Sequence, residues 1–397
     1  MHCKLEYPAT VSDYRDLARA RLPRSLFDYI DGGASDEQTL VANTNDWAKI
    51  ILRQRVLMNV DNVDTSSTLA GQQCRMPLAL APLGLAGMMA RRGEVQAVRA
   101  ANTAGIPFTL STVGICPLAE VQAAASEPFW FQLYMIRDRE RVKKLLQQAW
   151  QTGCRTLVFT IDLPFSGMRH RDTRNGLATS GGLGPSLRSS TLKAQQVLSR
   201  PAWAWQVVVR GGPLTFGSLS EAVPGARNPE AFKAWVDSQF DPTVTWSDIE
   251  WLRDLWQGKL LLKGILDVED AQRAIRTGAD GIIVSNHGGR QLDGVASTAS
   301  RLPDIVAATG AHIEVLVDGG IRSGVDIFRA LALGAKGVLI GRPWAWALAA
   351  EGQQGLEQLL ARWQQELKLT MMLTGVTRIS DIGPTQLDII ASQDAKK

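Results

Sequence analysis

From residue 76 onward this chain of 397 residues repeats one unit: a run of four or five largely apolar residues, then an amphipathic stretch. The runs are Leu78–Pro82, Pro107–Leu110, Trp130–Leu133, Leu157–Ile161, Leu260–Lys263, Gly281–Val284, Val315–Asp318 and Gly337–Ile340. Short apolar runs without strict alternation suit strands buried on both faces, which is the situation of parallel strands covered by crossover helices. Helical spacing fills the intervals at Gly93–Ala104, Arg139–Gln151, Asp267–Thr277 and Ser323–Leu333. Several of these helices run into glycine and a small or apolar residue before the next strand, as at Gly105, Gly278-Ala279 and Gly334-Ala335. Eight such units predict an α/β chain folded as a closed (β/α)8 TIM barrel, with a doubly wound sheet as the alternative on pattern alone.

Residues 1–75 read as polar N-terminal helices, with Val11–Leu22 stopping at Pro23 and Arg24–Ile30 ending at Asp31-Gly32-Gly33. The expected organisation is one domain over residues 1–397, with the barrel spanning 76–383. The rhythm breaks once, because almost a hundred residues, Asp162 to Lys259, separate the fourth strand from the fifth. Within this interval, residues 177–240 form an insertion. Its stretch Leu177–Ser220 holds Arg188, Lys193, Arg200 and Arg210 but no Asp or Glu, beside Trp203 and Trp205. Such a segment suits either a lid or peripheral contact with anionic lipid through aromatic anchors.

Composition excludes several classes. With 43 Lys and Arg against 39 Asp and Glu, the formal charge of +4 is too small to argue for nucleic acid. Cys3, Cys74, Cys116 and Cys154 form no C-x-x-C pair and read as reduced thiols of a cytoplasmic protein. Met1–Pro8 has no apolar core of a signal peptide. The longest apolar stretch, Met76–Ala90, carries two prolines and falls short of the roughly 20 residues that span a bilayer. The chain has no G-x-G-x-x-G, Walker A, G-x-S-x-G or H-E-x-x-H motif, and its four histidines are too scattered for a zinc site, so no metal is expected.

In a barrel, chemistry sits where strands end. The polar residues of this chain fall there: Ala81-Pro82-Leu83, Ser111, Gln132 with Tyr134, Thr160 with Asp162 and Arg169, and Lys263. Three further strand ends are followed by Ser285-Asn-His-Gly-Gly-Arg290, Asp318-Gly-Gly-Ile-Arg322 and Gly341-Arg342. Glycines and arginines after strands seven and eight make a phosphate site, since bare backbone N–H groups approach closely and the guanidiniums add charge. His287 at a strand end, with Asp162 to hold its imidazole, suits a general base. Arg169 and Arg290 can grip a carboxylate, so the mouth points to a small anionic substrate.

The sequence resembles the FMN-dependent L-2-hydroxy-acid dehydrogenases and oxidases. The resemblance runs from Asp13-Tyr14 to about Ile382, through Trp130-Phe-Gln-Leu-Tyr134, Leu262-Lys-Gly264, Ser285-Asn-His-Gly-Gly-Arg-Gln-Leu-Asp293 and Val317-Asp-Gly-Gly-Ile-Arg322. It implies FMN as cofactor, His287 as base with Asp162 as its partner, and Lys263 beside the flavin. Tyr29, Tyr134, Arg169 and Arg290 would then bind substrate. Ala81, Pro82, Leu83, Ser111, Gln132, Thr160, Ser285, Asp318, Gly319, Gly320, Arg322, Gly341 and Arg342 would hold the cofactor, and Val113 and Ser166 would shape the side-chain pocket. The implied reaction turns a 2-hydroxy acid into a 2-keto acid. The insertion resembles that of membrane-associated bacterial members acting on lactate or mandelate. The runs Phe159–Pro164, Ala90–Gln96 and Phe240-Asp-Pro242 are most similar to the lactate enzymes. The activity expected from the resemblance is L-lactate oxidation with a quinone acceptor, on the cytoplasmic side of the inner membrane, by a homotetramer. Mandelate oxidation and a soluble oxygen-using oxidase are the alternatives.

Overall fold

The computed structural model describes residues 7–176, 187–212, 214, 217–222 and 238–388. Eight parallel strands form the barrel: β1 (Leu78–Leu80), β2 (Thr109–Ser111), β3 (Trp130–Leu133), β4 (Thr156–Thr160), β5 (Lys259–Ile265), β6 (Gly281–Val284), β7 (Glu314–Val317) and β8 (Gly337–Ile340). Each pairs with its sequence neighbour, β8 pairs with β1, and a Leu80–Phe108 bridge links β1 to β2. The ends of the runs differ from expectation where prolines intervene. Pro82 falls outside β1 and Pro107 outside β2, since proline offers no N–H to a ladder.

The pleat sorts the strand residues into two cores. Ala79, Ala81, Trp130, Val158, Leu261, Ile283, Leu316 and Leu339 fill the barrel interior. Their neighbours Leu78, Leu80, Phe131, Leu157, Phe159 and Leu262 face outward to the helices. Residues 1–75 are not the all-helical segment expected. Helices Val11–Arg21, Arg24–Asp31 and Gln38–Ala48 are followed by an antiparallel hairpin, Ser67–Leu69 with Gln72–Cys74. Its two-residue turn, Ala70-Gly71, has positive φ at both positions (47° and 80°), the geometry that matches strand twist. Leu69, Ala70 and Cys74 join the inner core, and Gln72 Oε1 accepts from the Trp130 indole at 3.0 Å. The hairpin therefore plugs the N-terminal end and leaves the opposite end open for chemistry.

Helix Val11–Arg21 starts with a Thr10–Asp13 capping box, and its buried Tyr14 and Ala18 pack in the main core shared with the long C-terminal helix Arg342–Thr374. In the interval after β4, helix Leu187–Leu198 leads into Pro201–Trp203 and a turn of π-helix over Ala204–Val209. Trp203 is buried and its indole donates to the Met88 carbonyl at 2.8 Å, whereas Trp205 is 57% exposed. The pair expected to act together as surface anchors is thus split, because residues two apart on a helix point to opposite sides. The remainder of the acid-free segment (177–186, 213, 215 and 216), most of the rest of the insertion (223–237) and Cys3 lie outside the described residues. Cys74, Cys116 and Cys154 are free and buried. Among the described residues no helix is long and apolar enough to cross a membrane.

Candidate active site

The loop after β6 makes the sharpest feature of the open end. His287 lies at φ 55°, a left-handed conformation that costs roughly 1–2 kcal/mol for a residue with a side chain. The turn is held by the His287 N–H donating to Ser285 Oγ (3.1 Å) and the Gly289 N–H donating to Asn286 Oδ1 (3.1 Å). It aims the imidazole at the end of β4, where Asp162 Oδ1 lies 2.8 Å from Nδ1. Burial pushes the imidazole pKa below its ordinary value against the pull of Asp162, so His287 is neutral and able to take a proton. Burial opposes the charge of Asp162 too, but the charge of Lys263 and the hydrogen bond from His287 outweigh it and keep the carboxylate ionised. The Gln291 amide ties the Asp162 and Phe165 carbonyls, 2.9 Å each, to the same loop.

Two guanidiniums share the Tyr29 ring, Arg290 at 4.9 Å and Arg169 at 5.9 Å from its centroid. Arg290 Nη1 donates to the Tyr29 and Gly32 carbonyls. Burial, then the nearby Arg169, pushes the Arg290 pKa down to about 10 against the opposing pull of Tyr29 and Asp172. Tyr134 packs edge-on against Phe240 at 5.2 Å, and burial raises its hydroxyl pKa with Asp162 adding to the effect. Leu85, Val113 and Leu163 complete an apolar wall beside them.

Behind this mouth lies a cradle with flavin-like polarity. Ser111 Oγ donates to Gln132 Oε1 (2.9 Å) and Gln132 Nε2 to Thr160 Oγ1 (3.1 Å), a buried row across β2, β3 and β4. Lys263 Nζ reaches Ser285 Oγ at 2.9 Å and Asp318 Oδ2 at 3.1 Å. Burial works against its charge, but Asp318 and Asp162 raise its pKa and keep it cationic. Asp318 Oδ1 is buried with no hydrogen-bond partner among the described residues.

Beyond β7, Gly319 and Gly320 both sit at φ 87°. A Cβ on Gly320 would meet the Asn43 carbonyl oxygen at 1.9 Å, so only glycine fits. Among the described residues the Arg322 and Arg342 side chains donate only to backbone carbonyls: Arg322 to Ile321, Arg342 to Asp31, Gly32 and Gly288. Burial pushes Arg322 down to about 10, and burial with Arg290 and Arg322 pushes Arg342 well below its ordinary value. Buried guanidiniums beside a glycine turn, with no carboxylate hydrogen-bonded to them among the described residues, fit a phosphate monoester. The orphaned Asp318 oxygen fits a ribityl hydroxyl, and Lys263 fits the pyrimidine edge of a flavin.

These groups share one cavity of about 630 Å³, whose lining includes Tyr29, Ala81, Pro82, Leu83, Val113, Tyr134, Thr160, Ser166 and Arg169. Lys263, His287, Arg290, Asp318, Gly319, Gly320, Arg322, Gly341 and Arg342 line it as well. Four expected residues stand behind its surface: Asp162, Ser111, Gln132 and Ser285, each bonded to a neighbour at or behind the wall. A brace outside the barrel was not among the expected residues. Helix Gln38–Ala48 lies against the loops after β6 and β7, where Asn43 and Asn286 exchange two amide hydrogen bonds of 2.8 Å and the Trp47 indole donates to the Gly319 carbonyl at 2.8 Å. An asparagine in mid-helix, where its propensity is poor, is the only local signal that could have found it.

The chain matches the FMN-dependent dehydrogenase family over residues 18–389. It is 52% identical over 379 residues to L-lactate dehydrogenase of Caulobacter vibrioides (strain NA1000 / CB15N), covering 96% of this chain and 97% of that one. It is 48% identical over 387 residues to L-lactate dehydrogenase of Xanthomonas axonopodis pv. citri (strain 306), covering 98% of each. Its fold superposes on the monotopic membrane protein (S)-mandelate dehydrogenase with a TM-score of 0.89 at 36% identity, covering 96% of this chain and all of that one. A mandelate oxidase structure gives a TM-score of 0.81 at 37% identity, covering 96% and 98%. The chain belongs to the FMN-dependent dehydrogenase family.

Proposed function

We propose that the protein oxidises L-lactate to pyruvate and passes the electrons to a quinone of the membrane on which it sits. The observation that carries this reading is the neutral His287, 2.8 Å from an ionised Asp162, beside the two arginines that share the Tyr29 ring. In it, Arg290 and Arg169 take the substrate carboxylate, and Tyr29 and Tyr134 orient its hydroxyl. The free ring nitrogen of His287 takes a proton from the substrate, while Asp162 keeps the Nδ1–H in place and stabilises the imidazolium that forms. Lys263, held by Asp318 and Ser285, fixes a positive charge where the cofactor becomes more negative. Bound FMN supplies a two-electron acceptor for the substrate carbon.

Lactate is favoured over mandelate because the lactate-named relatives stand at 48–52% identity and the mandelate-named structures at 36–37%. The apolar wall of Leu85, Val113, Leu163 and Phe240 is the observation that speaks for mandelate, since it would suit a phenyl group. Membrane contact is supported by the monotopic neighbour and by exposed Leu198, Trp205, Val208 and Val209 beside Arg210. The same reading puts the protein on the cytoplasmic face as a homotetramer, and light scattering of the detergent-free protein tests the tetramer.

The experiment is an anaerobic absorbance titration of the purified flavoprotein with L-lactate and, separately, L-mandelate. Bleaching by lactate at far lower concentration supports the reading. Bleaching by mandelate alone moves the substrate, and bleaching by neither overturns it. Peroxide formation in place of quinol under air would overturn the quinone.

A further inference from the structure

The cavity extends past the catalytic groups. It is also lined by Leu26, Met88, Ile115, Val197, Trp203 and Leu214, all apolar. These come from the start of helix Arg24–Asp31, the short helix after β1, the loop after β2, the helices Leu187–Leu198 and Pro201–Trp203 that follow β4, and the coil at Leu214. The wall is tied together by hydrogen bonds between elements rather than by chance contact. The Ser25 N–H donates to Gln196 Oε1 (2.9 Å), the Trp203 indole to the Met88 carbonyl (2.8 Å), and Arg200 Nε to the Leu22 carbonyl (3.1 Å).

A substrate carboxylate seated on Arg290 and Arg169 makes no use of this apolar arm. The wall itself has an unusual composition. Its inner side carries Val197 and Trp203, while the outer side of the same helices exposes Leu198, Trp205, Val208 and Val209, with Trp205 at 57% and Val209 at 63%. Contiguous exposed apolar side chains beside a cation mark a lipid or protein contact. A single helical layer that is apolar on both sides thus separates the cavity from that contact surface.

We propose that the apolar arm is the seat of the electron acceptor, a membrane-dissolved quinone that enters from the face carrying Trp205 and Val209. The inference rests on the proposed L-2-hydroxy-acid oxidation and deepens it by assigning the second substrate a place. The balance needs no other reactant: the hydroxy acid loses two electrons and two protons to become the keto acid, and the quinone gains two of each to become the quinol. The arm supplies apolar surface for the ring and the start of the tail, and the polar seat at Arg290 stays with the carboxylate.

Two variants fill the arm without touching the groups that bind hydroxy acid or flavin: Met88→Trp and Leu214→Trp. Decylubiquinone and ferricyanide serve as alternative acceptors with L-lactate as donor. We expect KM for decylubiquinone to rise tenfold or more in each variant, with ferricyanide turnover and anaerobic flavin bleaching unchanged. An equal fall with both acceptors, or no change with either, overturns the assignment. Photolabelling of the unmodified flavoprotein with an azidoquinone, read by peptide mass spectrometry, gives a readout apart from turnover. Label on peptides holding Leu26, Met88 or Leu214, displaced by decylubiquinone, supports the seat, and label elsewhere refutes it. If L-lactate fails to bleach the unmodified protein, the proposed reaction fails instead, and the labelling result still decides whether the arm takes a quinone.

Discussion

Replacing Asn43 with alanine tests whether a helix outside the barrel holds the active-site loops. Asn43 sits at 1% exposure and exchanges two hydrogen bonds with Asn286; its Oδ1 also accepts from the Thr298 N–H at 3.3 Å. In the variant, Asn286 keeps the Gly289 N–H and the Ala296 carbonyl as partners, so it is only partly deprived. Thr298, at 0% exposure, loses its acceptor. Two lost bonds at about 1 kcal/mol each and one orphaned buried donor at about 1–3 kcal/mol predict a loss of about 3–5 kcal/mol. The readout is guanidinium unfolding followed by circular dichroism, on the flavin-free and flavin-loaded protein, with FMN retention on gel filtration alongside. The loaded form should lose more, because the same helix braces Gly319 through Trp47 and the His287 turn through Asn286. Asn43→Asp keeps the acceptor for Thr298 but turns an oxygen toward Asn286 Oδ1, and should be no milder. A loss below about 1 kcal/mol with FMN retention unchanged would refute the bracing role, being the size of an average substitution anywhere in a fold.

Further outcomes rest on the buried charges. A base must be neutral, and burial depresses His287, so kcat/KM should fall only as pH drops below the ordinary imidazole range. Asp162→Asn removes the group that raises the His287 pKa and should move that limb further to acid in initial-rate profiles, while an alkaline shift would contradict the pairing; His287→Gln should cost roughly 10²–10⁴ in kcat with the flavin spectrum intact. Lys263→Met strands the buried Asp318 carboxylate and takes a nearby cation from Asp162, and should cost about 3–5 kcal/mol in urea unfolding, part of it restored by adding Asp318→Asn. Burial works against the charge of Asp31, but Arg15 and Arg171 lower its pKa. Its stabilisation is therefore present above the unfolded carboxylate pKa of about 4 and lost as pH falls through the lower folded value. Asp31→Asn should flatten the acid side of the stability–pH curve, and an unchanged acid side would count against the Arg15–Asp31–Arg171 cluster as its source.

The barrel was legible because a parallel strand covered on both faces leaves an unbroken apolar run, and all eight runs met strands within two residues of their expected ends. The residues at those ends were legible for the same reason, since strand ends are where polar groups converge. The hairpin Ser67–Cys74 was not, because three-residue strands give too little periodicity and its turn, Ala70-Gly71, lacks the usual Asn or Asp. The Asn43–Asn286 pair left no more than a mid-helix asparagine to notice, because its partners lie 243 residues apart and no local spacing encodes such a contact. The split of Trp203 from Trp205 is a failure of composition as evidence, for two like side chains close in sequence took opposite sides of one helix.

The brace also fixes when the protein can become an enzyme during its own synthesis. Trp47 leaves the ribosome 272 residues ahead of Gly319, whose carbonyl it must hold. At about 5–20 residues per second, the N-terminal helices wait roughly 14–54 s for the strands and turns they grip. The helix Val11–Arg21 waits longer, for a partner that ends at Thr374. The first and third helices are thus made long before the turns and the C-terminal helix that cover their buried faces.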